Sequence, residues 1–265
     1  MVIKKKKEIA LLGFLVLLLF AVNYSFLDSV LKNFLKENGK FAVVERVIDG
    51  DTVVVNKTSV RLLGINSPEK GEMYSDEATK FLKELVLDKK VRLEFGRNKY
   101  DKYHRILAYI FVEGTNVNLE SVKNGFSNFY FPSGKDIYYR DFKTAWKNCV
   151  EENINLCEKS KDKCSDCIEL KKFDYRKEVV IFSNKCDFNC ELTGWKIKDE
   201  GRKNFVLPKF VLKKNSEVKV IISKEDKENN QGELFWIRKT YVWTKTGDTL
   251  FLRDSNGKLV LWKNY

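Results

Sequence analysis

An uncharged apolar run, Ile9–Leu27, opens the hydrophobic pattern of the chain, directly after the lysine cluster Lys4–Lys7. As a helix, such a run extends about 28 Å, close to the thickness of a bilayer's hydrocarbon core. The pattern predicts a transmembrane anchor over 9–27, a basic cytoplasmic segment over 1–8 and an extracytoplasmic remainder. A cleaved signal peptide is the alternative, although Ala21–Ser25 is a poor cleavage pattern. Residues 28–40 carry apolar positions at helical spacing and predict an amphipathic stalk near the membrane.

From Phe41 the pattern changes to that of β-strands. Two β-rich runs meet at Asp49-Gly50, which is a hairpin signal, and strand-like runs follow in "SVRLLGI", "KKVRLEF" and "RILAYIFVEG". The stretch "SDEATKFLKELVL" predicts a helix with Ser75 as its N-cap, and shorter helices are predicted at "NLESVKNG" and over Tyr138–Glu152. This order over residues 41–157 is that of a small OB-fold β-barrel with helices, an α+β domain.

A charged, cysteine-containing stretch over residues 158–173 separates this domain from the rest and is interpreted as a linker. Over residues 174–265, short strand-like runs such as "KEVVIFSN" and "SEVKVIISK" alternate with turn signals, of which Ser255-Asn256-Gly257 is a strong hairpin signal. Helical periodicity is absent from this part of the sequence. The pattern predicts an all-β, antiparallel, immunoglobulin-like sandwich.

Composition adds charge and one exclusion. The 265 residues carry a formal net charge of +12, which favours an anionic partner such as nucleic acid or an acidic membrane surface. The sequence has only 1 histidine, His104, and this excludes His-paired metal sites, Ser-His-Asp triads and the histidine-containing zinc deaminase site. Any catalysis therefore depends on carboxylates, arginines, lysines, tyrosines or a hard cation held by oxygen atoms.

Four motifs in order over residues 41–157 carry a resemblance: "VIDGDTV", "VRLLGINSPE", "YSDEATKFLKELV" and "DKYHRILAYIFVEGTNVNLESVKNG". Together they resemble the staphylococcal-nuclease (thermonuclease) family. The motifs "LTGWKIKDEGRKNFVLP" and "GDTLFLRDSNGKLVLW" resemble a lamin-tail domain, which is an immunoglobulin-like sandwich. The first resemblance implies an OB-fold, calcium-dependent phosphodiesterase of DNA and RNA that leaves 3′-phosphates.

The resemblance also implies roles for individual residues. Asp51, Asn66 and the backbone carbonyl of Ser67 match the calcium-binding positions. The catalytic positions are matched by Arg61, Glu69 and Arg105. The positions that contact a neighbouring phosphate are matched by Lys102 and Tyr103. Asn66 departs from the family pattern, which has a second metal-binding aspartate there. An amide oxygen still ligates calcium but carries no charge, so we expect a weaker site that functions at extracellular calcium concentrations. The aromatic run "FSNFYF" adds Tyr130 as a candidate residue of the nucleotide site, where its ring could stack on a base; core packing is the alternative explanation of the run.

These residue types suit phosphodiester hydrolysis. The planar guanidinium of arginine donates two hydrogen bonds to a phosphate and stays charged. With no histidine available at this position, Glu69 is the candidate base for the attacking water, and Asp51 with backbone oxygens suits a hard cation. Each residue also has a structural interpretation: Asp51 as a hairpin residue, the arginines as surface residues of strands, and Glu69 as an acid at a helix entry.

The sequence contains 6 cysteines, an even count that predicts disulfides in an extracytoplasmic chain. Proximity in sequence suggests Cys149–Cys157, Cys164–Cys167 and Cys186–Cys190. Because a bridge within Cys-x-x-Cys is strained, the alternative is that Cys164 or Cys167 reaches the loop of Cys186 and Cys190. Zinc bound by Cys164, Cys167, Cys186 and Cys190 is the competing interpretation.

Together these observations predict a membrane-anchored, extracytoplasmic nuclease with calcium as its cofactor and DNA or RNA as its substrate. The ligand of the C-terminal sandwich is not indicated by the sequence. The alternative is a protein that has weak or no catalysis and serves in nucleic-acid binding or surface tethering.

Overall fold

The structure is a computed structural model that describes residues 40–265 and, before them, only Gly13. The predicted basic segment, the anchor (apart from Gly13) and the stalk (apart from Lys40) lie outside the described residues. Within the part of the chain that is described, no helix is long and apolar enough to cross a membrane.

The N-terminal domain is built on a sheet that closes on itself. Strands β1 (Lys40–Asp49), β2 (Thr52–Val55) and β3 (Thr58–Leu62) form the predicted meander, and β1 also pairs antiparallel with β5 (Lys90–Tyr100). Strand β5 pairs with β6 (Ile106–Val112), and β6 returns to pair parallel with β3. These pairings close the barrel and confirm the predicted OB-fold. The other elements of the domain are β4 (Gly64–Asn66), α1 (Ser75–Val86), β7 (Thr115–Asn116), α2 (Val117–Lys123), β8 (Asn128–Tyr130), α3 (Tyr139–Glu152) and a 3-10 turn at Asn155–Cys157.

Helix α1 starts where its apolar periodicity begins, but its predicted cap is wrong by one residue. Ser75 is the first helical residue, and the N-cap is Tyr74, which has a φ of 67° and makes no side-chain capping bond. The backbone amide of Ser75 already donates to the carbonyl of Glu72, so Ser75 lies inside the first turn. Ala78, Leu82 and Val86 of α1 are buried.

The C-terminal domain is all-β, as predicted. Its strands are β9 (Ile168–Asp174), β10 (Val179–Asn184), β11 (Cys190–Glu191), β12 (Lys196–Lys198), β13 (Asn204–Val206), β14 (Val211–Leu212), β15 (Glu217–Ser223), β16 (Glu233–Ile237), β17 (Thr249–Arg253) and β18 (Leu259–Asn264). One sheet has the order β16-β15-β10-β9 and another the order β13-β12-β17-β18, and their inner faces share one apolar cluster that includes Val220, Trp236, Ile197 and Leu252.

Two expectations for this domain are corrected. The predicted linker over 158–173 is partly domain: β9 begins at Ile168, and Cys164 and Cys167 lie in the apolar cluster, because the charged residues between the cysteines face outward. The sheet is not purely antiparallel, since β15 and β16 pair parallel. In a parallel pair the chain must return to the end of the sheet at which the first strand began. The charged segment between β15 and β16 makes this return, whereas a tight hairpin would give an antiparallel pair.

The domains pack against each other through an apolar contact. Phe251 and Leu259 of the C-terminal domain are buried in the core of the N-terminal domain, and Trp262 packs against it. The ring of Trp146, in α3, lies edge-on to Phe251 at a centroid distance of 5.3 Å. The barrel domain therefore completes its core with residues from the C-terminal domain.

The cysteine pairing agrees with the predictions in part. Cys149–Cys157 is confirmed, and it ties the end of α3 to the 3-10 turn. The pairings Cys164–Cys167 and Cys186–Cys190 are wrong, because Cys167 bonds to Cys186, as the alternative expected. Cys164 and Cys190 are buried thiols, and burial together with a hydrogen bond to Cys164 raises the pKa of Cys190 to about 12. The four-thiol zinc site is not formed, since two of its ligands are consumed in the disulfide.

Candidate active site

The hairpin turn at Asp49–Asp51 is pressed against the rest of the site. A Cβ atom added to Gly50 would lie 2.8 Å from the Cβ atoms of both Ala78 and Ser67, closer than side chains approach one another. Only glycine lets the turn lie flat between α1 and the segment after β4. The turn therefore positions Asp51 directly beside Ser67.

Asp51 is the centre of a buried polar cluster and is only 3% exposed. One carboxylate oxygen, Oδ2, accepts a hydrogen bond from the amide of Ser67 at 3.0 Å and pairs with Nη2 of Arg61 at 2.9 Å. The other oxygen accepts from the hydroxyl of Thr52 at 3.0 Å. This carboxylate is thus oriented by three neighbours, and its charge is compensated by Arg61.

Arg61 links the turn to Asn66. Its Nη1 donates to the carbonyl of Leu62 at 2.7 Å, and its Nη2 lies 3.3 Å from Oδ1 of Asn66. Strands β2 and β3 bring Arg61 to this point, because Thr52 and Arg61 are directly paired in their register. The structure therefore brings together Asp51, Arg61, Asn66 and Ser67, which the sequence places in two separate motifs.

The cluster has the oxygen donors that a hard cation requires. Asp51 offers a carboxylate, Asn66 an amide oxygen and Ser67 a carbonyl, the donor types that Ca²⁺ accepts. Burial, followed by the charge of Asp51, raises the pKa of the neighbouring Asp49, so a cation here would relieve the crowding of two acids. Within the described residues, no group of three or more acidic, histidine or cysteine side chains is arranged to hold a metal. The donor set thus fits calcium in kind, with little negative charge.

Arg105 is held in the turn that precedes β6. Its Nε donates to Oδ2 of Asp101 at 2.7 Å, while Oδ1 of Asp101 accepts from the backbone amides of Tyr103 and Arg105. Burial acts to raise the pKa of Asp101, but the hydrogen bonds from Arg105 and the turn outweigh it and lower the pKa. Strand β6 starts at the next residue, Ile106, and pairs with β3 so that Leu107 lies opposite Arg61. Arg105 therefore lies in the turn that leads into the strand beside the one that carries Arg61.

The predicted nucleic-acid contacts lie on two separate segments. Tyr103 is largely exposed, with the Lys102 ammonium 4.9 Å and the Arg105 guanidinium 5.5 Å from its ring centroid. Tyr130 is partly buried on β8, which pairs with β4 so that Asn128 lies opposite Asn66. Tyr103 therefore lies beside Arg105, whereas Tyr130 lies on the strand that is paired with the one carrying Asn66.

Comparison with known proteins identifies the families of the two domains. Family models match residues 59–159 as "Staphylococcal nuclease homologue" and residues 159–265 as "Lamin Tail Domain". The thermonuclease of Staphylococcus intermedius is 32% identical over 131 residues, covering 46% of this chain and 78% of that protein. The chain belongs to the staphylococcal nuclease family. The thermonuclease of Staphylococcus hyicus is 36% identical over 125 residues, covering 43% of this chain and 73% of that protein. Endonuclease YncB of Bacillus subtilis is 33% identical over 131 residues, covering 44% and 61% respectively.

In this nuclease, the lamin-tail domain reaches the cluster with the turn between β12 and β13, residues 199–203, here called the 199–203 turn. Nδ2 of Asn66 donates to the carbonyl of Gly201 at 3.1 Å, and Nδ2 of Asn128 donates to the carbonyl of Glu200 at 2.9 Å. Gly201 also lies against the ring of Tyr130: a Cβ atom added to Gly201 would lie 3.4 Å from Cε2 of Tyr130. Burial, followed by the charge of Asp199, raises the pKa of Tyr130.

Glu69 also contacts this turn. Its Oε1 forms an ion pair with Nε of Arg202 at 2.5 Å, and the side chains of Glu69 and Arg202 are 46% and 55% exposed. Nearby, Glu72 accepts from the amide of Glu69 at 2.9 Å and pairs with Lys198 at 3.2 Å. Sequence reasoning missed Glu200, Gly201 and Arg202, because nothing in a charged turn "DEGRK" indicates which surface it faces.

Proposed function

We propose that this nuclease hydrolyses phosphodiester bonds in DNA and RNA with calcium as its cofactor, leaving 3′-phosphates. The observation that supports the proposal is the assembly of Asp51, Arg61, Asn66 and Ser67 in one buried cluster, with Glu69 two residues further on. These groups come from the turn before β2, from β3, and from the end of β4 and the residue after it, and they meet only in the folded barrel. The staphylococcal nuclease family model matches residues 59–159, a range that includes Arg61, Asn66, Ser67 and Glu69.

The chain's own residues divide the chemistry. Arg61 and Arg105 bind the scissile phosphate and stabilise the charge that develops on its oxygens, which is the main requirement of phosphoryl transfer. Glu69 accepts a proton from the attacking water, because its carboxylate is exposed at the rim of the cluster. Asp51, Asn66 and the Ser67 carbonyl would hold calcium, which when bound supplies positive charge at the phosphate.

We also propose that the protein is anchored in the cell membrane by residues 9–27, with the N-terminus in the cytoplasm and both domains outside. The support is the apolar run, the preceding lysines and the two disulfides among the described residues, since disulfides persist in oxidising compartments. Protease accessibility of the C-terminal domain on intact cells tests this topology. Digestion only after lysis would overturn it.

The test of catalysis uses the full-length chain in mild detergent. Hydrolysis of single- and double-stranded DNA and RNA is followed with calcium, with magnesium and with a chelator, and the ends of the products are identified. We expect calcium-dependent cleavage and a loss of about 100-fold or more in kcat for Glu69→Gln, because the base is removed. Glu77→Gln, an exposed acid in the first turn of α1, is the matched control and should leave the rate unchanged.

A second candidate is a nucleic-acid-binding or tethering protein without turnover. Two contacts favour it: the amide of Asn66 is bonded to Gly201, and Glu69 is paired with Arg202. This candidate predicts salt-dependent binding of nucleic acid with no cleavage at millimolar calcium. The assay above separates the two functions.

A further inference from the structure

The 199–203 turn is held rigidly on the nuclease domain. Glu200 is buried, and its side chain accepts from the amide of Phe131 at 3.3 Å and from the hydroxyl of Thr249. Together with the bonds from Asn66 and Asn128 to its backbone carbonyls, these contacts join the turn to both β4 and β8. The backbone that carries Arg202 therefore has a fixed position at the edge of the catalytic cluster.

The side chain of Arg202, by contrast, is held weakly. Its ion-pair partner, Glu69, is itself about half exposed, and pairs between exposed side chains contribute little to stability. The pair forms through Nε, which leaves the two terminal nitrogens of the guanidinium as further donors. An arginine on a rigid backbone, with a weak partner and unused donors, is well placed to bind an incoming anion.

We propose that Arg202 binds a phosphate of the substrate, so that the lamin-tail domain forms part of the nuclease's substrate site. The ligand is a backbone phosphodiester of a polynucleotide, adjacent to the one that is cleaved. This inference rests on the active site proposed above. A phosphate accepts two parallel hydrogen bonds from a guanidinium, and it displaces the Glu69 carboxylate from Arg202.

The exchange suits the role of Glu69. When the phosphate binds Arg202, the Glu69 carboxylate loses its ion-pair partner and is free to accept a proton from the attacking water. The neighbouring cations have other partners: Lys198 pairs with Glu72, and Lys203 donates to the carbonyl of Val242 at 2.8 Å. Arg202 is thus the cation of this turn that contacts the candidate catalytic base.

The experiment compares Arg202→Gln with the full-length wild type. Binding of a fluorescently labelled single-stranded oligonucleotide is measured by anisotropy in chelator over a range of salt concentrations. Each phosphate contact contributes about 0.7 to the slope of log affinity against log salt for a single strand, so we expect the slope to fall by about that amount. In steady-state cleavage, KM should rise about 5- to 10-fold while kcat changes less than about 2-fold.

Two variants provide controls. Arg202→Lys keeps the positive charge and should retain the wild-type slope. Arg176→Gln removes the same charge from the exposed turn between β9 and β10, and should change neither the slope nor KM. Because Arg202 is exposed, the thermal unfolding midpoint of Arg202→Gln should equal that of the wild type.

An unchanged slope and KM in Arg202→Gln would overturn the proposal. A rise in kcat/KM would also overturn it, since the pair with Glu69 would then act as an inhibitory latch. The binding measurement does not require cleavage. If the wild type binds but does not cleave, a reduced slope in Arg202→Gln still supports the phosphate site while the proposed nuclease activity fails.

Discussion

At the residue scale, Asn66 has two roles that the sequence shows only as a departure from the family pattern. Its oxygen faces Arg61, and its nitrogen donates to Gly201 of the other domain. An aspartate has no donor to offer to that carbonyl. The contact between the domains thus accounts for the asparagine at this position. The candidate calcium site has one negative charge fewer than it would have with an aspartate.

Replacing Asn66 with aspartate should therefore have opposite effects on calcium and on stability. We expect Asn66→Asp to bind calcium more tightly, because affinity in oxygen sites rises with ligand charge. We expect it also to lower the free energy of unfolding by about 1–3 kcal/mol, because the new carboxylate and the carbonyl of Gly201 are both acceptors and would face each other without a hydrogen bond. Calorimetric titration with calcium and urea denaturation in chelator measure the two effects.

The control for Asn66→Asp is Asn98→Asp, which adds the same charge on an exposed part of β5. It should alter neither quantity appreciably. A titration in which Asn66→Asp binds calcium no more tightly than the wild type would contradict the charge argument.

At the scale of the element, the turn from Asp101 to Arg105 is a positioning device for one arginine. His104 has a φ of 62°, so the turn needs a left-handed residue, and Asp101 closes it with bonds to two backbone amides and to the Arg105 side chain. The sequence shows Asp101 inside a family motif but does not show which side chain it holds.

Asp101→Asn should reduce kcat by about 10- to 100-fold, because Arg105 loses its ion pair and the geometry at the phosphate is relaxed. The KM should change much less, since Arg202, Lys102 and Arg61 still attract the substrate. Steady-state kinetics on an oligonucleotide measure both parameters. Asp226→Asn, in the exposed loop before β16, is the control, and equal rates for the two variants would contradict the positioning role.

At the scale of the whole molecule, the shared core predicts that the domains stabilise each other. Leu259, from the C-terminal domain, is buried in the core of the barrel domain. We expect Leu259→Ala to lower the free energy of unfolding by about 2–5 kcal/mol and to loosen the barrel domain. Hydrogen exchange of amides in β5 and β6 reports on that domain. Protection lost only within residues 174–265 would show that the domains are independent.

The acids of the 199–203 turn predict a dependence of stability on pH. Burial, followed by the charge of Asp248, raises the pKa of Asp199 to about 7; burial is also the main cause that raises the pKa of Glu200 to about 8. The ordinary values of such acids are about 4. Between about pH 4 and pH 8 the folded protein therefore binds more protons than the unfolded chain, and the free energy of unfolding should fall as pH rises.

Urea denaturation at pH 5, 6, 7 and 8 checks this expectation. Glu200→Gln, which does not titrate, should flatten the dependence, whereas Glu225→Gln, an exposed acid, should leave it unchanged. A dependence as steep in Glu200→Gln as in the wild type would place its origin elsewhere.

The sequence by itself determined the local elements and the family. Alternating and helical apolar periods located β1, β2, α1 and the hairpin at Ser255–Gly257, because these features depend on nearest neighbours along the chain. The resemblance to the nuclease family implied that Asp51, Arg61, Asn66 and Ser67 belong to one site.

Only the tertiary structure decided what depends on distant parts of the chain. The pairing of Cys167 with Cys186, the parallel β15–β16 pair and the return of Leu259 into the barrel's core all join segments whose separation carries no periodic signal. The contact of Gly201 and Arg202 with the candidate site is of the same kind. A charged turn looks alike in sequence whether it faces solvent or a catalytic cluster, and packing alone makes that choice.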